Sequence, residues 1–197
     1  SLPKPIIAKF PRHISYDLVL FGSWRRKGVY LGEDKQIASP GVYPVAGFNF
    51  APMYNVSYKF RAGMSLDGVY DGSANVYTIV DYESSASPRR FYKPGIHQQL
   101  ALGVSGRFEY VMPYFTIGVG LGTNVLGKGD LRGLYQVLAL KIAITRSSFL
   151  HIGYNLQDFQ TPNYLMLGLG FRFHNKYPKI NILKGRKPRD FGMLPVK

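Results

Sequence analysis

The chain has 197 residues, no cysteine, a net charge of +14 and a mean hydropathy of -0.08. That length suits one domain with a closed sheet, and the missing thiols exclude a disulfide framework and thiolate metal centres. No apolar run reaches the roughly 18 residues that a membrane-spanning helix needs, so a transmembrane helix is excluded too.

Eight stretches in which apolar residues alternate with small or polar ones fill the chain from about Ile14 to Phe173. This is the period of a half-buried strand. In the first, Ile14, Tyr16, Leu18 and Leu20 form an apolar face opposite Ser15, Asp17, Val19 and Phe21. A loop with Arg25, Arg26 and Lys27 near its start follows. The second strand, about Tyr43 to Tyr54, contains Pro44 and Pro52, which demand strand ends or a bulge. A tight turn around Asn55 leads to the third, about Tyr58 to Tyr70. There Phe60, Ala62, Met64 and Leu66 oppose Lys59, Arg61, Ser65 and Asp67.

The longest loop, about Asp71 to Pro94, is rich in Ser, Asp, Tyr and Arg. The fourth strand, Ile96 to Gly106, turns Leu100, Leu102 and Val104 outward and His97, Gln99, Ala101 and Gly103 inward, with a turn near Arg107. The fifth sets Phe115, Ile117, Val119 and Leu121 against Thr116, Gly118, Gly120 and Gly122. Its inward glycines predict a narrow lumen into which bulky side chains of another strand fit. After a loop at Gly127–Asp130, the sixth strand, about Leu134 to Thr145, has Leu138, Leu140, Ile142 and Ile144 outward and Lys141 inward. Arg146-Ser147 forms the next turn. The seventh opposes Leu150, Ile152, Tyr154 and Leu156 to His151, Gly153, Asn155 and Gln157. A loop at Gln160–Pro162 precedes the eighth, where Leu165, Leu167, Leu169, Phe171 and Phe173 face away from Gly168, Gly170 and Arg172.

Connections that alternate long and short, together with an even strand count, are the signature of a bacterial outer-membrane barrel with both termini in the periplasm. The predicted fold is therefore all-β: an eight-stranded antiparallel transmembrane β-barrel over residues 14–173, in the outer membrane of a diderm bacterium. Basic periplasmic tails at 1–13 and 174–197 flank it. Ser1–Pro5 has no apolar core, so the numbering is expected to start at the mature end. A water-soluble ligand-binding barrel would instead put its apolar side chains inside. Here the less apolar set is rich in glycine and charge, which suits a tight polar lumen.

Asp17, Lys59, Arg61, Asp67, His97, Lys141, His151 and Arg172 all fall on the predicted lumen face. Eight strands leave no wide channel, so the expected role of these charges is a paired network that plugs the lumen, rather than a proton or ion path. No cofactor and no metal site is expected.

A serine hydrolase on a strand can place its histidine and nucleophile at i and i+2 of one face. The chain offers His151-Ile152-Gly153-Tyr154-Asn155, then Thr161-Pro162-Asn163, then Tyr164 through Phe173. This stretch resembles the C-terminal end of the outer-membrane lipid A deacylases, eight-stranded barrels that remove an acyl chain from lipopolysaccharide. The tract Leu66-Asp67-Gly68-Val69-Tyr70-Asp71-Gly72-Ser73 also resembles one in that family. The family pattern is His-x-Ser-Asn, whereas Gly153 stands at the serine position and Met166 at a plausible position for the acid. A shifted alignment brings Asp158 rather than His151 to the motif. His151 also sits on the lumen face, while the family's substrate lies in the membrane outside. The sequence thus predicts a non-catalytic relative, with lipid A deacylation through His151 as the alternative.

Two further groups are expected to bind. Arg25, Arg26, Lys27, Arg89, Arg90 and Lys93, beside Trp24, Phe91 and Tyr92, could hold lipopolysaccharide phosphates through charge-assisted bonds. Residues 1–13 carry +3 and residues 174–197 carry +6. Because the tails face the periplasm, the partners expected are anionic headgroups or proteins, and not nucleic acid. Lys179, Ile180, Ile182, Leu183 and Phe191 give the second tail an apolar content that a purely solvating segment would not need. They are predicted to dock on other envelope proteins. The function expected is an accessory or structural subunit of a larger outer-membrane complex, for protein assembly or nutrient import.

Overall fold

The computed structural model describes residues 10–26, 28–30, 36–38, 41–79, 90–92, 94–159 and 161–176. Its barrel consists of β1 (His13–Arg25), β2 (Tyr43–Asn55), β3 (Phe60–Asp71), β4 (Leu100–Val111), β5 (Phe115–Leu126), β6 (Leu134–Ala143), β7 (Ser148–Gln157) and β8 (Thr161–Phe173). Each strand pairs antiparallel with its chain neighbours, and β8 pairs with β1 to close the cylinder. Closure leaves no sheet edge, so backbone polar groups within hydrocarbon are paired. Two short ribbons, Gly28–Tyr30 with Gln36–Ala38 and Tyr77–Ile79 with Arg90–Tyr92, lie in the two longest loops. No helix among the described residues is long and apolar enough to cross a membrane.

The alternation is realised with the predicted sidedness. Ile14, Leu20, Met64, Leu121, Leu138, Leu167 and Leu169 are exposed on the outer wall, while Asp17, Arg61, Asp67, Lys141 and His151 are buried inside. Among the described strands the outward positions carry no Asp, Glu, Lys, Arg or His. That charge-free wall is what hydrocarbon requires. The inward glycines of β5 also act as expected. A Cβ at Gly118 would meet Glu109, one at Gly120 would meet Arg107, and one at Gly122 would meet Tyr135.

Several boundaries differ from the sequence reading. Pro52 sits mid-strand without a bulge: the β2–β3 ladder lapses at Ala51 and Pro52 and resumes in the same register at Met53. The proline simply withholds one donor. The turn after β2 spans Val56–Lys59, so Lys59 is exposed outside the strand and not in the lumen. Ile96–Gln98 form a 3-10 turn before β4, which leaves His97 exposed too. At its other end β4 runs through Arg107 to Val111, because alternation continues through Arg107-Phe108-Glu109-Tyr110. The real turn is Met112-Pro113-Tyr114, where proline ends the ladder. Thr161 and Pro162 belong to β8, which they join through a register shift at Asn155/Leu156.

Candidate functional site

The barrel has two faces on which chemistry could reside, the lumen and the outer wall. In the lumen, Asp17 of β1 is fully buried and takes bonds from three cations on three strands. Arg61 Nη2 donates to Oδ1 at 3.0 Å and Lys141 Nζ to Oδ2 at 2.8 Å. Arg172 donates through Nε at 2.8 Å and Nη2 at 3.1 Å. Glu109 completes the cluster, 3.2 Å from Arg61 Nη1 and 2.5 Å from Lys141 Nζ. The Phe149 ring lies 5.0 Å from Lys141 Nζ and 5.3 Å from the Arg172 guanidinium. Five strands are therefore crosslinked through one knot of charge, with Arg61 at 0% exposure. This is the paired network expected of the lumen charges.

A second cluster centres on Asp67 of β3. Arg107 Nη2 donates to both of its oxygens at 2.9 and 2.8 Å, and Ser65, Ser105, Tyr135 and Asn49 add neutral donors. Near the loop end, Asp71 accepts from Arg25 Nη1 at 2.8 Å and from the Ser73 amide and hydroxyl at 2.8 and 2.7 Å. Asn75, in the left-handed region at φ 56, joins the turn after β3 to the loop after β5 through Gln98, Lys128 and Asp130. The Leu66–Ser73 tract thus builds the end of β3 and the turn that narrows the mouth. Its two carboxylates serve as structural acceptors.

The residues compared with a hydrolase triad do come together, but inside. His151 pairs across the sheet with Lys141 on one side and Gly168 on the other, and Gly153 lies opposite Met166. His151 is 2% exposed and Met166 1%. A Cβ at Gly153 would lie 2.7 Å from His151 Nε2 and 3.3 Å from Met166 Cβ, so the imidazole already fills the space a serine would use. Neither ring nitrogen of His151 has a hydrogen-bond partner. The cavity beside it, lined also by Asp17 and Glu109, has about 20 Å³, room for one water and no acyl chain. Among the described residues, the outward ones of the same strands (Ser148, Leu150, Ile152, Tyr154, Leu156, Leu165, Leu167, Leu169, Phe171 and Phe173) include no histidine and no carboxylate to serve as base or acid. Asp158 lies in the turn after β7, exposed and at φ 49.

The basic loop residues are not gathered into a described site. Arg25 ends β1 with its guanidinium on Asp71, and Arg26 is exposed. Lys27, Arg89 and Lys93 lie outside the described residues, as does the side chain of Arg90. Lys179, Ile180, Ile182, Leu183 and Phe191 lie outside as well. The residues that lead into that tail are tied to the turn end of the barrel. Asn175 exchanges bonds with Arg146 at 2.7 and 3.0 Å, and the Lys176 amide donates to His13 Nε2 at 3.1 Å. The sequence reading missed Arg107, Glu109 and Tyr135 as network members. Continued alternation past Gly106 was the available signal for the first two.

A family model described as "Acyloxyacyl hydrolase, C-terminal domain" matches residues 14–175, the whole barrel. Two solved structures of the attachment invasion locus protein Ail of Yersinia pestis are similar in fold. The first is 13% identical with a TM-score of 0.42, covering 81% of this chain and 98% of that one. The second, a complex with the heparin analogue sucrose octasulfate, is 14% identical with a TM-score of 0.40 over the same shares of 81% and 98%. Direct comparison with curated protein sequences gives no match.

Proposed function

The chain belongs to the acyloxyacyl hydrolase C-terminal-domain family and is an outer-membrane barrel, and on that footing we propose that it is a catalytically inert member serving as an accessory subunit of a larger outer-membrane complex. Inertness is supported chiefly by one observation: the histidine at the family's motif faces the plugged lumen, above a glycine instead of a serine. Ester hydrolysis needs nucleophile, base and orienting acid within hydrogen-bond reach of each other and of the substrate. A lipid held outside the wall reaches none of them. Fold alone supplies no activity.

Incubating the purified barrel with lipopolysaccharide and weighing the lipid A by mass spectrometry tests this. The lipid A mass should not change, and Gly153→Ser should not change it either. Loss of one acyl chain that His151→Ala abolishes would establish the deacylase reading instead.

The accessory role is supported by the composition of the basic C-terminal tail, which mixes Lys and Arg with Ile180, Ile182, Leu183 and Phe191. Truncation after Lys176 keeps the Asn175–Arg146 clasp and removes those side chains. Envelope proteins that co-purify with the full chain should then be lost. Undiminished co-purification counts against the tail as the docking element. In this reading the basic residues beside Trp24 and Tyr92 contact lipopolysaccharide headgroups from the loop end.

A further inference from the structure

The turn end of the lumen holds a cavity of about 80 Å³, several times the room that one water needs. Its wall includes the inward residues Thr116, Ala143 and Arg172 at the ends of β5, β6 and β8, and its rim includes Pro113, Arg146 and Asn175. Backbone bonds hold both turns at the rim to the barrel. The Ala143 amide donates to Tyr114 O at 2.9 Å, and the Arg172 amide to Ser147 O at 2.7 Å. With short turns on the periplasmic side, this cavity opens toward the periplasm.

The charge around it is unbalanced. In the knot below, the two carboxylates of Asp17 and Glu109 face the three cations Arg61, Lys141 and Arg172, an excess of one positive charge. The Asp67–Arg107 pair beyond it is neutral and offers no compensation. Two guanidinium groups line the cavity and no carboxylate does. Arg172 commits Nε and Nη2 to Asp17, so Nη1 donates to no described residue. Arg146 is pinned at the mouth by its Nη2 bond to Asn175 O at 2.7 Å, which leaves Nε and Nη1 to donate elsewhere. The Thr116 hydroxyl, in a residue 6% exposed, also has no partner among the described residues. An uncompensated cation in a buried cluster is costly, and arginine does not discharge to relieve it.

We propose that this cavity is a phosphate site at the periplasmic end of the lumen, with Arg172, Arg146 and Thr116 as its donors. Guanidinium–phosphate bonds are stronger than bonds between neutral groups. Donors on three separate elements suit a tetrahedral anion better than a planar carboxylate, which is gripped along one edge. The bound anion supplies the negative charge that the knot lacks. The cavity admits the phosphate group and little more, so the rest of the ligand extends past Pro113 and Arg146. A soluble phosphate ester and a phospholipid headgroup of the inner leaflet share this chemistry. The site lies at the opposite end of the barrel from the basic loop residues beside Trp24 and is not lined by His151. It therefore stands whether or not the loops hold lipopolysaccharide or the barrel hydrolyses anything.

The probe is inorganic phosphate, followed by phosphorus NMR line broadening on the full chain in uncharged maltoside micelles at constant ionic strength. Broadening should saturate in the millimolar range. Arg146→Gln removes a charge-assisted donor and should raise the half-saturating concentration about tenfold. Thr116→Val removes a neutral donor of the same shape and should raise it about threefold. Lys59→Gln takes an exposed charge from the same end of the barrel but outside the cavity, and should change it less than about twofold. Heat-modifiable migration on gels checks that each variant folds. Binding that persists in phosphatidylcholine nanodiscs assigns the site to a soluble phosphate. Binding seen in micelles alone assigns it to a lipid phosphate, which already fills the site in nanodiscs. Broadening that never saturates, or that responds alike to Lys59→Gln and Arg146→Gln and ignores Thr116→Val, reflects a diffuse basic rim and overturns the site.

Discussion

Asp17→Ala should destabilise the barrel by about 3–5 kcal/mol, the usual cost of removing one partner from a buried ion pair. The substitution leaves Arg61, Lys141 and Arg172 facing one another, with Glu109 as the sole remaining carboxylate of the knot. Arg61 is fully buried, and a guanidinium does not lose its proton to escape. Asp17→Asn keeps the shape and one acceptor oxygen but not the charge, so it should fall between alanine and wild type. The measurement is urea unfolding of the folded barrel in detergent, followed by loss of heat-modifiable migration. A shift below about 1 kcal/mol, the ordinary range for exposed pairs, would mean that the cluster is hydrated and contributes little.

That knot was partly readable in the sequence. Period-two alternation placed Asp17, Arg61, Lys141 and Arg172 on one face of four strands, because any reversal would have turned Leu18, Ala62, Ile142 and Phe171 inward. Glu109 escaped because Arg107 was read as a turn. Charged residues are common in turns, and Met112-Pro113 was the stronger stop signal. Lys59 and His97 erred in the opposite direction: both sit in phase with a strand that has not yet begun. Pro52 shows the limit of rules about single residues, since a closed barrel tolerates one missing donor when both flanking ladders hold register.

The candidate sites were less legible. His151-x-Gly153 could be compared with a family motif, and its lumen side followed from alternation. That the imidazole occupies the space above Gly153 follows only from packing. The apolar groove of about 580 Å³ on the outer wall of β3 to β7 has no local signature at all. Gly106, Leu121 and Gln136 adjoin through strand register alone, and Gln136 is covered by the turn after β7, whose Phe159 amide donates to its Oε1.

Gly168→Val should prevent the barrel from closing. Gly168 lies opposite Phe21 on the β1–β8 seam, the pairing that joins the two ends of the meander. A Cβ there would run into the Leu20 carbonyl oxygen and come within 2.7 Å of Phe21 Cα. Both obstacles are backbone, so no rotamer change relieves the contact and β1 would have to move away. The cost should exceed about 3 kcal/mol, the upper end of ordinary overpacking. It would also fall on the pairing that closes the barrel, and its loss opens two sheet edges to hydrocarbon, where unpaired amides find no water. Gly22→Ala tests whether the seam itself is merely fragile. Gly22 lies opposite Leu167 on the same pairing, but its Cβ points outward and meets nothing nearer than Val45 O at 4.0 Å. Folded barrel recovered from outer-membrane fractions should be near wild type for Gly22→Ala and close to nil for Gly168→Val. Equal recovery of the two would show that β1 and β8 are farther apart at Gly168 than the register implies.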